Sequence, residues 1–170
     1  RRKKAKISMD ELNEAMLKVV MGTEKKSRAI TDKDKKTTAF HEAGHAVAAA
    51  LLPTQDPVHQ VSIIPRGRAG GFTMYLPDTD KTYVSKQEML DDIVVCMAGR
   101  VTEQILFGEI NTGASGDIQQ ATKIANQMVT RYGMSDKLGS VMYASDDNEV
   151  FIGRDYGHTR SYSEETAAII

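Results

Sequence analysis

The sequence predicts a mainly helical α+β domain carrying one small β-sheet. Two patterns and one bound support that class. Apolar residues recur at helical spacing in several long stretches, and polar pairs three residues apart, Ser8 with Glu11, Thr31 with Asp34 and Ser85 with Glu88, stand where helices would start. Two short runs, "VHQVSIIP" and "GGFTMYLP", are instead enriched in β-branched and aromatic residues and are separated by the turn material "RGRAG". At 170 residues and 41% hydrophobic composition the chain has room for one domain with a real core.

In chain order, Ser8 and Glu11 form a capping box for a first helix whose Leu12, Ala15, Met16, Val19 and Val20 make one apolar stripe until Gly22 closes it. The polar stretch "TEKKSR" from Thr23 reads as a surface linker, and 23–31 separates this helix from the main domain. A second helix opens at Thr31 and runs through "TTAFHEAGHAVAAALL" to Leu52, where Pro53 stops it. The two β-rich runs then predict short strands, a hairpin with an accessible edge. Ser85 and Glu88 cap a third helix, expected to bury Ile93, Val94, Met97, Val101, Ile105 and Leu106 and to end near Gly108. After the loop "GEINTGASG", a fourth helix starts near Asp117 and carries Ile118, Ala121, Ile124, Ala125, Met128 and Val129 to Gly133. "GSVMYA" and "VFIG" are strand candidates. The terminal "SYSEETAAII" reads as the start of a helix capped by Ser161 and Glu164, so the chain is expected to be cut from something longer.

Composition excludes more than it identifies. A net charge of −1 and a pI near 6.5 give no reason to expect nucleic acid or an acidic membrane surface as partner. One cysteine, Cys96, excludes an intrachain disulfide framework and suits a reducing compartment; among aliphatic neighbours it reads as a small buried hydrophobe rather than a catalytic thiol. No stretch approaches the roughly 18 uninterrupted apolar residues of a membrane span, and no signal peptide opens the chain, which predicts a soluble chain.

The second helix poses the functional question. His41 and His45 are one turn apart on one face, where both imidazoles can converge on a single metal ion, with Glu42 turned aside yet within reach of a water molecule there. Imidazole leaves zinc net positive, and a carboxylate beside it can act as general base in attack on a polarised carbonyl. The competing interpretation, a pair of satisfied core histidines, needs this five-residue pattern to have arisen by chance on a helix. His59 and His158 are isolated and read as surface residues. Two histidines leave a catalytic zinc short of its third protein ligand, for which Glu103, Glu109 and Asp117 compete. Spacing alone makes Glu103 a serious rival, and Glu109 reads as solvated.

Five blocks in order, "HEAGHA", "IIPRGRAGGFT", "AGRVTEQILFG", "TGASGDIQQAT" and "MVTRYGMSDKLG", resemble the peptidase domain of the FtsH family, membrane-anchored ATP-dependent zinc metalloproteases. "MDELNEAMLKVVMG" similarly resembles the last helix of the ATPase module preceding that peptidase, which makes 1–22 the end of that module and 32–170 a peptidase domain truncated at its C-terminus. The resemblance implies His41, His45 and Asp117 as ligands of one Zn2+ per chain, Glu42 as catalytic base, Glu103 as a group supporting a histidine, and an edge strand at Gly70, Gly71, Phe72 and Thr73 that aligns substrate. It also implies an endopeptidase acting on unfolded membrane and cytosolic proteins, from a hexameric parent on the cytoplasmic face of the bacterial inner membrane. No G-x-x-x-x-G-K-[ST] occurs here, so ATP belongs to the parent's ATPase module and the membrane to its N-terminal segments. The other class kept open is a non-catalytic ring or scaffold module with a structural zinc.

Overall fold

The computed structural model describes residues 6–25, 29–67, 69–143 and 162–170. Its elements follow in the order α1 (Met9–Val20), α2 (Asp32–Leu51), β1 (Val58–Ser62), β2 (Phe72–Tyr75), α3 (Lys86–Phe107), α4 (Ser115–Thr130) and α5 (Glu164–Ile169). The class is the expected mainly helical α+β. Helix α3 lies between α2 and α4, and the antiparallel β1–β2 hairpin packs on the other element of that pair, α2.

Local chemistry accounts for most boundaries. Thr31 caps α2 by accepting from the Asp34 N–H at 3.1 Å. Ser85 and Glu88 close a capping box on α3, the Ser85 N–H donating to Glu88 Oε2 at 2.7 Å and the Glu88 N–H to Ser85 Oγ at 3.2 Å. At the far end Gly108 turns the chain out with φ 68°, and its N–H donates to Gln104 O at 3.0 Å. The hairpin register pairs Val61 with Thr73 and Ser62 with Phe72, with an irregularity between Val58 and Gln60.

The core is formed by Met89 of α3 with Ile124 and Met128 of α4, against which Ile93, Cys96 and Met134 pack. Burying such a side chain contributes about 1.5–3 kcal/mol. Thr23–Lys25, read as the start of a surface linker, is tied to the turn after β1. The Lys25 N–H donates to Pro65 O at 3.0 Å, Gly67 N–H to Thr23 O at 3.3 Å, and buried Arg66 pairs with Glu24. Residues 26–28 lie outside the described residues.

Helix α1 and its Ser8–Glu11 capping box form as expected; its apolar stripe lies largely exposed, Val19 at 86%, with Leu17 the helix's one buried residue, and among the described residues α1 packs against no other helix or strand. Three expectations need correction. On α3 the buried residues are Met89, Asp91, Val95, Gly99 and Glu103, whereas Val94, Val101, Ile105 and Leu106 are exposed. Small and polar residues face inward there because that side meets the α2 histidines. The segment Gly139–Tyr143 forms no strand and is fixed by single bonds, Gly139 N–H to Ser135 O at 2.9 Å and Tyr143 N–H to Thr130 O at 2.7 Å; "VFIG" lies outside the described residues. Finally, α5 is capped by Ser163, which accepts from the Thr166 N–H at 3.2 Å, and Ser161 lies outside the described residues.

Candidate metal centre

His41 and His45 come from the middle of α2, with Asp117 brought to them by the first turn of α4. The loop from Gly108 passes through a 3-10 turn, Thr112–Ala114, and Ala114 is fully buried at its end, which fixes where α4 starts. Ligand atoms of these three residues lie within 4.8 Å of one another, and they form the one such group among the described residues.

The outer nitrogens define the inner ones. His45 Nδ1 donates to the Val95 carbonyl at 2.7 Å, and His41 Nδ1 to Glu103 Oε1 at 2.7 Å. With both Nδ1 atoms carrying their protons outward, each neutral ring presents the lone pair of Nε2 to the centre. The separations there are 3.0 Å between the two Nε2 atoms, 3.2 Å from His41 Nε2 to Asp117 Oδ2 and 3.8 Å from His45 Nε2 to the same oxygen. Ligands held tetrahedrally at about 2.0 to 2.1 Å from zinc are about 3.3 Å apart. The donor set therefore fits a zinc ion by number, type and spacing. Two nitrogen lone pairs and a carboxylate oxygen at these distances repel one another unless a cation or a proton lies among them.

Titration behaviour follows the same crowding. Burial alone would depress His41, but hydrogen bonds to Asp117 and Glu103, with the charges of Asp117 and Glu42, outweigh it and raise its pKa. Glu42, also buried, is raised chiefly by burial, against the opposing effects of the Thr73 hydrogen bond and the two histidines. Tyr75 is pushed up to about 12 by burial and by the charges of Glu42, Cys96 and Asp117, so its phenol stays protonated.

The other predicted residues divide cleanly by position. Glu103 is 2% exposed, and its second oxygen accepts from Asn111 Nδ2 at 2.9 Å, so it stands behind His41 rather than among the inner donors. Glu109 is exposed and lies 3.9 Å from Lys33, away from the group. His59 is exposed, Cys96 is half-buried against the core with its thiol pushed up by burial, and His158 lies outside the described residues. Along the proposed edge, Gly70 is exposed, Gly71 and Phe72 are buried, and Thr73 turns its hydroxyl to Glu42, 2.9 Å from Oε2 and 3.1 Å from the backbone oxygen.

Sequence reasoning missed Gly99. It sits on α3 directly behind the imidazoles, where a Cβ would lie 2.5 Å from His45 Nε2 and 2.7 Å from His41 Nε2. A glycine inside a helical pattern was the available signal, because it costs stability unless something packs against it. Val95 and Asn111 gave no signal, since a backbone carbonyl and a loop amide are common to every sequence.

Comparison with known proteins follows the same lines. Residues 28–170 match the description of Peptidase family M41. The chain is 55% identical over 170 residues to the ATP-dependent zinc metalloprotease FtsH of Caldicellulosiruptor bescii, all of this chain against 28% of that protein. It is 56% identical over 170 residues to FtsH 1 of Thermoanaerobacter sp. strain X514, again with 28% of the relative covered, and 57% identical to FtsH 2 of Alkaliphilus metalliredigens, with 25% covered. The chain thus spans about a quarter of the length of these relatives.

Proposed function

Since the chain belongs to peptidase family M41, we propose that it is the zinc-dependent endopeptidase domain of an FtsH-like, ATP-dependent protease. The observation that carries this reading is the donor count: three convergent protein ligands, two imidazoles and one carboxylate, with a buried carboxylate next in sequence to the first imidazole. Structural zinc sites close with four protein ligands, while catalytic ones use three and keep a position for water or substrate.

His41, His45 and Asp117 would hold the ion, with Glu103 and the Val95 carbonyl fixing the two rings. Zinc, when bound, supplies Lewis acidity that polarises the scissile carbonyl and brings the pKa of a water molecule to about 7. Glu42 takes the proton of the attacking water on its carboxylate and then returns it to the leaving amine. Its raised pKa makes it a better proton carrier near neutral pH than an ordinary exposed glutamate. Backbone groups from Gly70 to Thr73, the run that leads into β2, can pair with an extended peptide along the side not taken by β1.

For the parent protein, we read residues 1–22 as the end of an ATPase module, 23–31 as the connection and 32–170 as the peptidase. The family match beginning at residue 28 and the absence, among the described residues, of any helix or strand packed on α1 support that division. Membrane anchoring, a hexameric ring and unfolded protein substrates belong to the same proposal; among the described residues no helix is long and apolar enough to cross a membrane.

Purified chain reconstituted with zinc should hold about one ion and cleave an unfolded casein or a quenched peptide, and chelation should abolish cleavage. Glu42→Gln should retain the ion and lose on the order of 10²-fold or more in rate. Elemental analysis without bound zinc, or a Gln variant as active as wild type, would refute the reading.

A further inference from the structure

Thr73 lies on β2 and Glu42 on α2, thirty-one residues earlier, yet the two are joined by a side-chain hydrogen bond. Thr73 Oγ1 is 2.9 Å from Glu42 Oε2 and 3.1 Å from the Glu42 backbone oxygen. A hydroxyl has one proton to give. The backbone oxygen belongs to a helix interior and already accepts from the following turn, whereas the carboxylate is closer and charged, so the proton goes to Oε2.

The contact sits in a tight setting. Gly71, two residues earlier on the chain, brings the strand so close to α2 that a Cβ there would lie 2.6 Å from Thr38 Cγ2, 2.7 Å from Ser62 O and 3.0 Å from Glu42 Cγ. The Thr73 backbone is paired with Val61 of β1, and a β-branched side chain keeps few χ1 choices. A glutamate with three torsions is thereby held at its tip by a short, stiff side chain on a paired strand.

We propose that Thr73 is a positioning residue for the general base, orienting the Glu42 carboxylate so that Oε1 is the oxygen that takes the proton. This rests on the peptidase reading of the site. Its consequence is that β2 has two tasks at once: its backbone aligns the peptide and one of its side chains aims the base. A peptide that shifts the strand out of register would also misdirect Glu42, which links correct substrate alignment to proton transfer.

The test compares Thr73→Val and Thr73→Ser in the zinc-reconstituted chain. Valine keeps the branched shape and suits a strand, so the hydroxyl is the change that matters. Thr73→Val should lower kcat by about 10- to 100-fold, the range expected when a reacting group is misplaced, with KM within about twofold. Thr73→Ser should regain most of the loss, and zinc affinity, read by chelator competition, should be the same in all three proteins because Thr73 touches no ligand. Wild-type kcat in Thr73→Val, or a serine variant no better than valine, would overturn the assignment. Failure of the peptidase reading shows differently, as a zinc-loaded wild type that cleaves no peptide. In that event crystal structures of metal-free wild type and Thr73→Val decide: a displaced Glu42 carboxylate in the variant sustains the positioning role, and an unmoved one overturns it.

Discussion

Gly99→Ala is the most economical perturbation of the metal centre, because it adds one carbon at a known place. The new Cβ would lie 2.5 Å from His45 Nε2 and 2.7 Å from both Nε2 and Cε1 of His41, whereas ordinary contacts begin at 3.4 Å. The rings must therefore retreat by about 0.9 Å or α3 must move away from α2, in an interior packed too densely to yield freely. Zinc ligands tolerate roughly ±0.2 Å in distance, so the required shift is several times the tolerance. Both Nδ1 bonds, at 2.7 Å to Val95 O and Glu103 Oε1, would be strained by the same motion. For the fold the balance is milder: overpacking costs about 1–3 kcal/mol, and replacing a helix-interior glycine by alanine returns about 0.5–1 kcal/mol. The expectation is a loss of about 100-fold or more in zinc affinity, beyond what removal of an outer partner costs, with unfolding free energy of the metal-free protein changed by less than about 3 kcal/mol. Chelator-competition titration measures the first and urea denaturation the second. Gly116→Ala is the control, since a Cβ there meets nothing within 4 Å although the residue adjoins Asp117. If Gly99→Ala binds zinc within about threefold of wild type while remaining folded, the packing argument here is wrong.

Three further outcomes follow from the same geometry. Asp117→Ala should remove an inner donor and abolish tight zinc binding, whereas Glu103→Ala should weaken affinity or activity by about 10- to 100-fold through His41; tight binding without Asp117, with collapse without Glu103, would reverse their roles. Zinc competes with protonation of His41, whose pKa is raised from 6.5, so affinity should fall, and proton release on binding should grow, as pH drops through that raised value, both readable by calorimetry in two buffers. Glu88 is depressed from 4.5 to about 2 by the Ser85 backbone and hydroxyl and by Lys81, so its contribution is present above about 4.5 and lost as pH falls toward 2; Glu88→Gln should be less stable than wild type at pH 7, with the gap closing near pH 2 in urea titrations.

The helices were legible because their signals are local. Ser8, Thr31, Ser85 and Gly108 act within one turn of the chain, and a capping residue specifies its boundary wherever the helix then packs. The histidine pair was legible for the same reason, as residues one turn apart on α2. What failed was the choice of buried face on α3. Counting aliphatic residues selected Val94, Val101, Ile105 and Leu106, yet the inward face carries Gly99 and Glu103 because imidazoles occupy the space a core leucine would fill. Polar neighbours thus reverse the hydrophobic pattern at a site, and only the partner element reveals it. Spacing could not tell the positions of Asp117 and Glu103 apart either: both lie in later helices, and what distinguishes them in the structure is that Asn111 and His41 Nδ1 take up the two oxygens of Glu103.

The arrangement also binds stability to chemistry. Glu103 is a nearly fully buried carboxylate, and Glu42 a second buried one within the same cluster as the two histidines and Asp117. Buried carboxylates without compensating charge are costly, several kcal/mol each after relaxation, and no arginine or lysine is paired with either of these two among the described residues. Part of the compensation is protonation of the acid itself, towards which burial pushes Glu42; the rest can come from a cation at the inner nitrogens, a proton on His41 or a metal among His41, His45 and Asp117. A divalent ion offsets more of that charge than a single proton and leaves the Nδ1 bonds undisturbed, so folding and metal binding draw on the same residues. By mass action, zinc at 100 times its dissociation constant would stabilise the fold by about 2.7 kcal/mol, a large share of the margin by which a domain of this size stays folded. On the proposed reading, the buried acids that aim the histidines and would supply the base are tolerated by the fold for the reason that they would work: the cation that makes the site reactive would also be the one that neutralises it.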